Sequence, residues 1–322
     1  MTDRYARQII LPEVGAEGQR RLSRARILMV GAGGLGVPAL QYLVGAGVGE
    51  VVLLDPDRVE EGNLHRQTIY GPHLGRPKAE AAAEFARSLN PGTRVSPRVE
   101  RLTPANAPDL VAAADLVLDC ADSHAASYTL SDACLKAGRA LISASALGLS
   151  GYVGGFCGGA PSLRALFPEP TEAGATCATA GVLGPVVGML GTLQAQMALS
   201  VLLGLKPSPL GQLIRFEMQG FRFSGFRFDG APEPAGPQPR FISPGAISSG
   251  DFIVDLRDEA EAPRPVHPRA MRRRVEDFGP SGPAPSPDQR AVFTCRSGLR
   301  AWRAAELLRA RWPGEIALIA DP

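Results

Sequence analysis

A glycine loop and five charged side chains near the amino terminus have the types and spacing for chemistry on phosphate. Gly31-x-Gly33-x-x-Gly36 lacks side chains where a backbone has to approach an anion, and it runs into a predicted helix whose amino end attracts negative charge. Asp55 closes the next predicted strand, where a carboxylate reaches a ribose hydroxyl. Arg66, Lys78, Asp119 and Asp122 follow later predicted strands closely enough to converge on the same sheet edge. Splitting a triphosphate to pyrophosphate needs cations around the phosphates and an acid for magnesium, and those residue types are all present. Gly31, Gly33, Gly36 and Asp55 alone suit a nicotinamide dehydrogenase equally well. That alternative leaves Arg66, Lys78 and Asp122 unexplained.

A second constellation lies near the carboxyl end. Cys295-Arg296-Ser297-Gly298-Leu299-Arg300 follows a short apolar run and opens a predicted helix, so backbone amides and arginines would favour a thiolate there. A phosphatase cradle needs five residues between Cys and Arg; Ala301 occupies that position here, and the shorter loop suits a persulfide.

The elements that must position these groups alternate. Ile27 to Val30 reads as a strand, Val37 to Ala46 as a helix and Val51 to Leu54 as a strand. A helix over Arg76 to Leu89 stops at Asn90-Pro91-Gly92. A strand at Leu116 to Leu118, a helix from Ser123 to Ala137 and a strand at Ala140 to Ser143 follow. This is the pattern of an α/β fold, Rossmann-like, with a mostly parallel sheet covered by helices on both faces. Phe221 to Phe228 alternates around a glycine and predicts an antiparallel strand pair closing a domain of residues 1–228. Residues 229–250 turn to Pro, Gly, Ala and Ser and are expected to be a linker. A small α/β domain is expected over 251–322, with strands at 252–255 and 291–294, a helix at 299–311 and a Pro-rich interruption at 279–287.

Composition excludes several classes. The 34 Lys and Arg against 32 Asp and Glu leave a net charge of +2, which gives no global field for nucleic acid or acidic membrane. Five scattered cysteines, none in a C-x-x-C pair, argue against a disulfide framework and suit a reducing cytoplasm. The first residues are polar and unlike a secretory signal. Val182 to Leu205 is uncharged and long enough to span a bilayer, but Gln194, Gln196 and its glycines fit a helix buried in an α/β domain better.

Several segments together carry a resemblance. They are Tyr5-Ala6-Arg7-Gln8-Ile9-Ile10-Leu11-Pro12-Glu13, the Gly31-Ala32-Gly33-Gly34-Leu35-Gly36 loop, Asp55-Pro56-Asp57, Asn63-Leu64-His65-Arg66-Gln67 and Asp119-Cys120-Ala121-Asp122, with Thr176-Cys177 leading to Gly181-Val182-Leu183-Gly184-Pro185. In this order they resemble the HesA/MoeB/ThiF family of ubiquitin-activating-like adenylyltransferases over residues 1 to about 215.

The resemblance implies a homodimer that binds Mg-ATP and the Gly-Gly tail of a small ubiquitin-like sulfur-carrier protein, adenylylates the tail and leads to a thiocarboxylate for molybdopterin or thiamine synthesis. It places Gly31, Gly33, Gly34, Gly36, Asp55, Asp57, Asn63, Arg66, Gln67 and Lys78 around ATP and makes Asp122 the magnesium-site acid. Arg7 matches an arginine that reaches the partner subunit's nucleotide. Cys177 matches a cysteine that links covalently to the carrier or its sulfur; as a free cysteine it also reads as a small buried hydrophobe.

Two departures stand out. Pro161-Ser162-Leu163-Arg164-Ala165 replaces the Pro-Cys-x-x-Cys zinc knuckle of many relatives, so structural zinc is not expected. Ser123 and His124 follow Asp122 where the family has Asn and a bulky residue. The second domain, with Ile253-Val254-Asp255-Leu256-Arg257 and the Cys295 loop, resembles a shortened rhodanese-like sulfurtransferase domain. A non-catalytic scaffold that binds nucleotide and carrier is the alternative these departures leave.

Overall fold

Residues 3–170 and 181–321 are described by the computed structural model. Helices α1 (Ala6–Ile9) and α2 (Gly15–Arg24) lead into an alternating run. It comprises β1 (Arg26–Val30), α3 (Gly36–Gly45), β2 (Glu50–Leu54), α4 (Lys78–Leu89), β3 (Arg94–Arg98), α5 (Ala107–Ala112), β4 (Leu116–Asp119), α6 (His124–Ala137) and β5 (Ala140–Leu147). Then come β6 (Ser150–Cys157), α7 (Leu163–Leu166), α8 (Gly184–Leu203), β7 (Gln212–Glu217) and β8 (Arg222–Arg227). The eight strands form one sheet in the order β3-β2-β1-β4-β5-β6-β7-β8. The first five strands in that order pair in parallel, and β6 to β8 continue antiparallel.

Strand periodicity explains the two-faced core. Ile27, Met29, Val51, Leu53, Leu116 and Leu118 point to the face covered by α3, α4 and α8, whereas Leu28, Val30, Val52, Leu54 and Val117 point to the face covered by α5 and α6. Register then sets the site. Val30 lies opposite both Leu54 and Asp119, so β1, β2 and β4 end level and their following residues share one edge. Helix α8 is long and apolar enough to cross a membrane by length and composition. Here Val186, Leu190, Ala195 and Ala198 are buried in the core that also holds α3 and β5.

The expected strand pair at 221–228 is a single strand. Its partner is β7, with Phe216 opposite Phe223 and Glu217 opposite Arg222. The turn precedes the alternating run: the Glu217 carboxylate accepts from the amides of Gln219 and Gly220, and Phe221 adopts φ of 50°. Gly225 sits inside the strand opposite Ile214.

A second sheet contains β9 (Arg240–Phe241), β10 (Phe252–Asp255), β11 (Met271–Arg272), β12 (Ala291–Cys295) and β13 (Ile316–Ala320), with α9 (Leu299–Arg309) against it. Its order is β11-β10-β12-β13-β9, all parallel. The stretch expected as a linker therefore supplies a strand, because Phe241 amid the Pro-rich sequence has apolar surface to bury opposite Leu318. The earlier part of that stretch is also held: Ser162 donates its amide and hydroxyl to the Glu233 carboxylate at 2.7 and 2.6 Å.

Candidate active site

The glycine loop leaves β1 at Gly31, whose φ of 100° and contact with the next loop both require glycine. A Cβ there would stand 2.5 Å from the Cys120 carbonyl oxygen. Gly36 begins α3 so close to the loop that its Cβ would lie 2.0 Å from the Gly31 oxygen. Gly33 differs. Its Cβ would meet only the Gln67 amide nitrogen, at 3.6 Å, so its openness serves whatever approaches the loop. A Cβ on Gly34 would face Val187 and the Arg66 side chain.

Asp55 is buried at the end of β2. Burial raises its carboxyl above the usual range, against the opposing pull of hydrogen bonds from the Ala32 and Asp57 amides and of the Lys78 charge. One oxygen accepts from Ala32 at 2.7 Å and the other from Asp57 at 2.8 Å. Each keeps lone-pair capacity for a hydroxyl. Lys78 opens α4, with its side chain 6% exposed and its ammonium 3.0 Å from the Asp57 carboxylate, which is 61% exposed. The Arg66 guanidinium is held by Asn63 at 2.6 Å and His65 at 2.8 Å. Gln67 is buried, and its side-chain oxygen has no hydrogen-bond partner among the described residues.

Asp119 and Asp122 part company. Asp119 is fully buried, which pushes its carboxyl up to about 6, and it accepts from Ser143 at 2.8 Å and from the Ala121 amide at 3.2 Å. It braces the loop. Asp122 is exposed, three residues on, and follows Cys120 and Ala121, which abut Gly31. Among the described residues no group of three or more His, Cys, Asp or Glu gathers, so a cation at Asp122 would complete its shell from phosphate oxygens and water, as Mg²⁺ commonly does.

Two expected residues stand elsewhere, and a third falls outside the described residues. Arg7 is exposed on α1, which is anchored at the opposite edge of the sheet: Gln8 donates to the Ala46 carbonyl, and Asn90 donates to the Tyr5 hydroxyl. Cys177 lies outside the described residues. Cys295 ends β12 in the second sheet, where its sulfur accepts from the Gly298 and Ala301 amides at 3.1 and 3.3 Å. Arg300 is tied to the Leu256 carbonyl and the Glu261 carboxylate. A cavity of about 510 Å³ near this loop is lined by Arg257, Glu261, Arg264, Arg296 and Asp321. Cys295 itself is buried, which limits approach to groups that can enter the loop.

Two bracing residues escaped sequence reading. Tyr70 donates to the Ala32 carbonyl at 2.8 Å, and Gln194 of α8 donates to the Asp119 carbonyl at 2.7 Å. A glutamine in the middle of an apolar helix was the available signal for the second.

The ThiF family model matches residues 5–236. The adenylyltransferase and sulfurtransferase UBA4 of Yarrowia lipolytica is 48% identical over 204 residues, 62% of this chain and 52% of that protein. The adenylyltransferase and sulfurtransferase MOCS3 of Bos taurus is 48% identical over 218 residues, 66% of this chain and 48% of that protein. The SAMP-activating enzyme E1 of Haloferax volcanii is 42% identical over 224 residues, 69% of this chain and 83% of that protein. The matched stretch thus spans about half the length of the first two relatives. A crystal structure of E. coli MccB with ATP shares the fold, with a TM-score of 0.63 at 20% identity over 73% of each chain.

Proposed function

The chain belongs to the ThiF family, and from that premise we propose that residues 1–228 adenylylate the C-terminal Gly-Gly carboxylate of a ubiquitin-like sulfur carrier. Residues 251–322, read as a rhodanese-like domain, then deliver sulfur. What supports the first half is the charge set beside the glycine loop: Arg66, whose side chain borders Gly34, Lys78, paired with Asp57 next to Asp55, and the exposed Asp122, two residues after the Cys120 carbonyl that abuts Gly31. The carrier carboxylate attacks the α-phosphorus of ATP and pyrophosphate leaves. Arg66 and Lys78 offset the charge gathering on it, while the amides of the Gly33 region hold phosphate oxygens. Magnesium at Asp122 supplies charge neutralisation of the phosphates when bound.

Arg7 acts in the second subunit of a homodimer. Its distance from its own chain's site supports this, as do Ile10 and Leu11 beside it, 71% and 51% exposed. In the sulfur step, the terminal sulfur of a Cys295 persulfide attacks the acyl carbon and AMP leaves, giving an acyl disulfide. A thiol then attacks the Cys295 sulfur and releases the thiocarboxylate, leaving a mixed disulfide that a second thiol reduces. Cys177 is the in-chain thiol for the first of these roles. A cytoplasmic setting belongs to the same reading, supported by the free cysteines Cys120, Cys134, Cys157 and Cys295.

The test is ATP–pyrophosphate exchange with ubiquitin-fold proteins ending in Gly-Gly, comparing wild type with Asp122→Ala. Carrier-dependent exchange that the substitution abolishes supports the proposal. Absence of exchange with every carrier would favour a scaffold, and a preference for NAD over ATP would favour a dehydrogenase.

A further inference from the structure

Arg164 lies in α7, and its surroundings reach across both sheets. The residue is 5% exposed. Its guanidinium forms a two-pronged pair with Asp132 of α6 at 2.6 and 2.9 Å and donates to the Pro239 carbonyl at 3.2 Å. Its plane covers two rings, Tyr128 of α6 at 4.8 Å and Trp302 of α9 at 5.4 Å, and those rings lie 5.1 Å apart. One cation therefore fastens the first domain, the connecting segment and the second domain together.

The contacts continue to the sulfur loop. Trp302 packs on Phe241 with centroids 6.4 Å apart, and a Cβ on Gly298 of the Cys295 loop would meet the Phe241 ring at 2.6 Å. Ala125, Tyr128, Phe241, Trp302 and Cys295 belong to a single buried cluster. Ala125 and Tyr128 lie in the first two turns of α6, the helix that begins directly after Asp122 and Ser123. The domain bearing Cys295 is thus seated on the helix that leads out of the nucleotide site.

Burying a guanidinium costs several kcal/mol on the order of, and one of its nitrogens, Nη1, has no hydrogen-bond partner among the described residues. Apolar packing would hold the two domains at less cost, but it is non-directional. A planar cation pinned by Asp132 and Pro239 against two neighbouring rings favours one mutual orientation.

We propose that Arg164 is a positioning residue that locks the Cys295 domain onto α6, and that attack of the Cys295 persulfide on the acyl-adenylate depends on this lock. The proposal rests on the two-step reading above. Neither half-reaction needs Arg164: adenylate formation takes place at the glycine loop, and persulfide formation at Cys295. Only the encounter between them does.

The experiment uses the full chain with Arg164→Ala and, as a gentler change, Asp132→Asn. Three rates are measured: carrier-dependent ATP–pyrophosphate exchange with Gly-Gly-ended ubiquitin-fold proteins, thiosulfate-to-cyanide sulfur transfer, and AMP release from preformed acyl-adenylate after persulfide loading. We expect the first two within about twofold of wild type and the third at least about tenfold slower for Arg164→Ala, with Asp132→Asn between, as a tether of the same length gives a lower productive encounter frequency without the docked pose. Small-angle scattering and protease cleavage within 229–239 read docking directly and need no carrier; both variants should be more extended and more readily cut. Two intact half-reactions with an unchanged coupled step would overturn the role in transfer. A variant as compact and as resistant as wild type would overturn the lock. Loss of exchange in the wild type would instead contradict the adenylylation reading and leave the scattering result to decide the docking.

Discussion

Two glycines five residues or fewer from the end of β1 make a paired test of what the loop is for. In Gly31→Ala the new methyl falls 2.5 Å from the Cys120 carbonyl oxygen on a backbone held at φ of 100°. The left-handed conformation costs about 1–3 kcal/mol for a residue with a side chain. Relieving the overlap costs about 1–3 kcal/mol more, since backbone rather than a flexible side chain has to move. The sum, about 2–6 kcal/mol, is a large part of a typical stability of about 5–15 kcal/mol. In Gly33→Ala the methyl meets only the Gln67 side chain, at 3.6 Å, an ordinary contact. Stability should change by less than about 0.5 kcal/mol. On the proposed mode of binding, ATP affinity should suffer, because the methyl would stand in the approach of the phosphates to the loop amides. Losing one hydrogen bond to a charged group costs about 1.5–3 kcal/mol, or about 10- to 150-fold in Kd. Urea unfolding and calorimetric titration with Mg-ATP separate the two effects. The reasoning is refuted if Gly33→Ala binds ATP like wild type, or if Gly31→Ala unfolds at the wild-type midpoint.

Other consequences follow from single residues. Asp119 has a folded-state carboxyl raised from 3.8 to about 6 by burial, so its ionised form opposes folding; wild type should gain up to about 3 kcal/mol over Asp119→Asn as pH falls from 7 to 4, read by urea midpoints, and a gap that shrinks on acidification would contradict this. Mixing Arg7→Ala with Asp122→Ala chains, each expected to be inactive alone, should restore about one quarter of wild-type exchange, because half the dimers then hold one complete site; no recovery would place Arg7 in its own chain's chemistry, and full activity of Arg7→Ala alone would place it outside. Cys295→Ser should abolish thiosulfate sulfur transfer and leave ATP–pyrophosphate exchange intact, and equal sulfur transfer by both proteins would remove Cys295 from the mechanism.

What the sequence discloses is local. Gly31, Gly33, Gly36, Asp55 and Lys78 announce themselves because each sits at a strand or helix boundary fixed by short-range periodicity, and parallel pairing then brings them to one edge. Partnerships across long sequence separation stay hidden. Nothing near Phe221–Phe228 says that its strand partner is 212–217, since a lone alternating run is satisfied equally by a hairpin within itself. Phe241 looks like part of a linker until β13, 77 residues later, offers it a neighbour. Asp119 and Asp122 read alike as acids at a strand end, yet one braces Ser143 and the other faces outward, because strand register and the packing of α8 decide burial. The pairing of Arg164 with Trp302, and of Ser162 with Glu233, joins residues whose types carry no signal of each other.

The account stands on transfer of AMP to a protein carboxylate. The direct measurement incubates the chain, magnesium and a Gly-Gly-ended ubiquitin-fold carrier with ATP labelled in the α- or γ-phosphate, then follows the label on the carrier. The account predicts α-label on the carrier, none from γ, and loss of the signal in Asp122→Ala. Label arriving from the γ-phosphate, or α-label undiminished by Asp122→Ala, would contradict it.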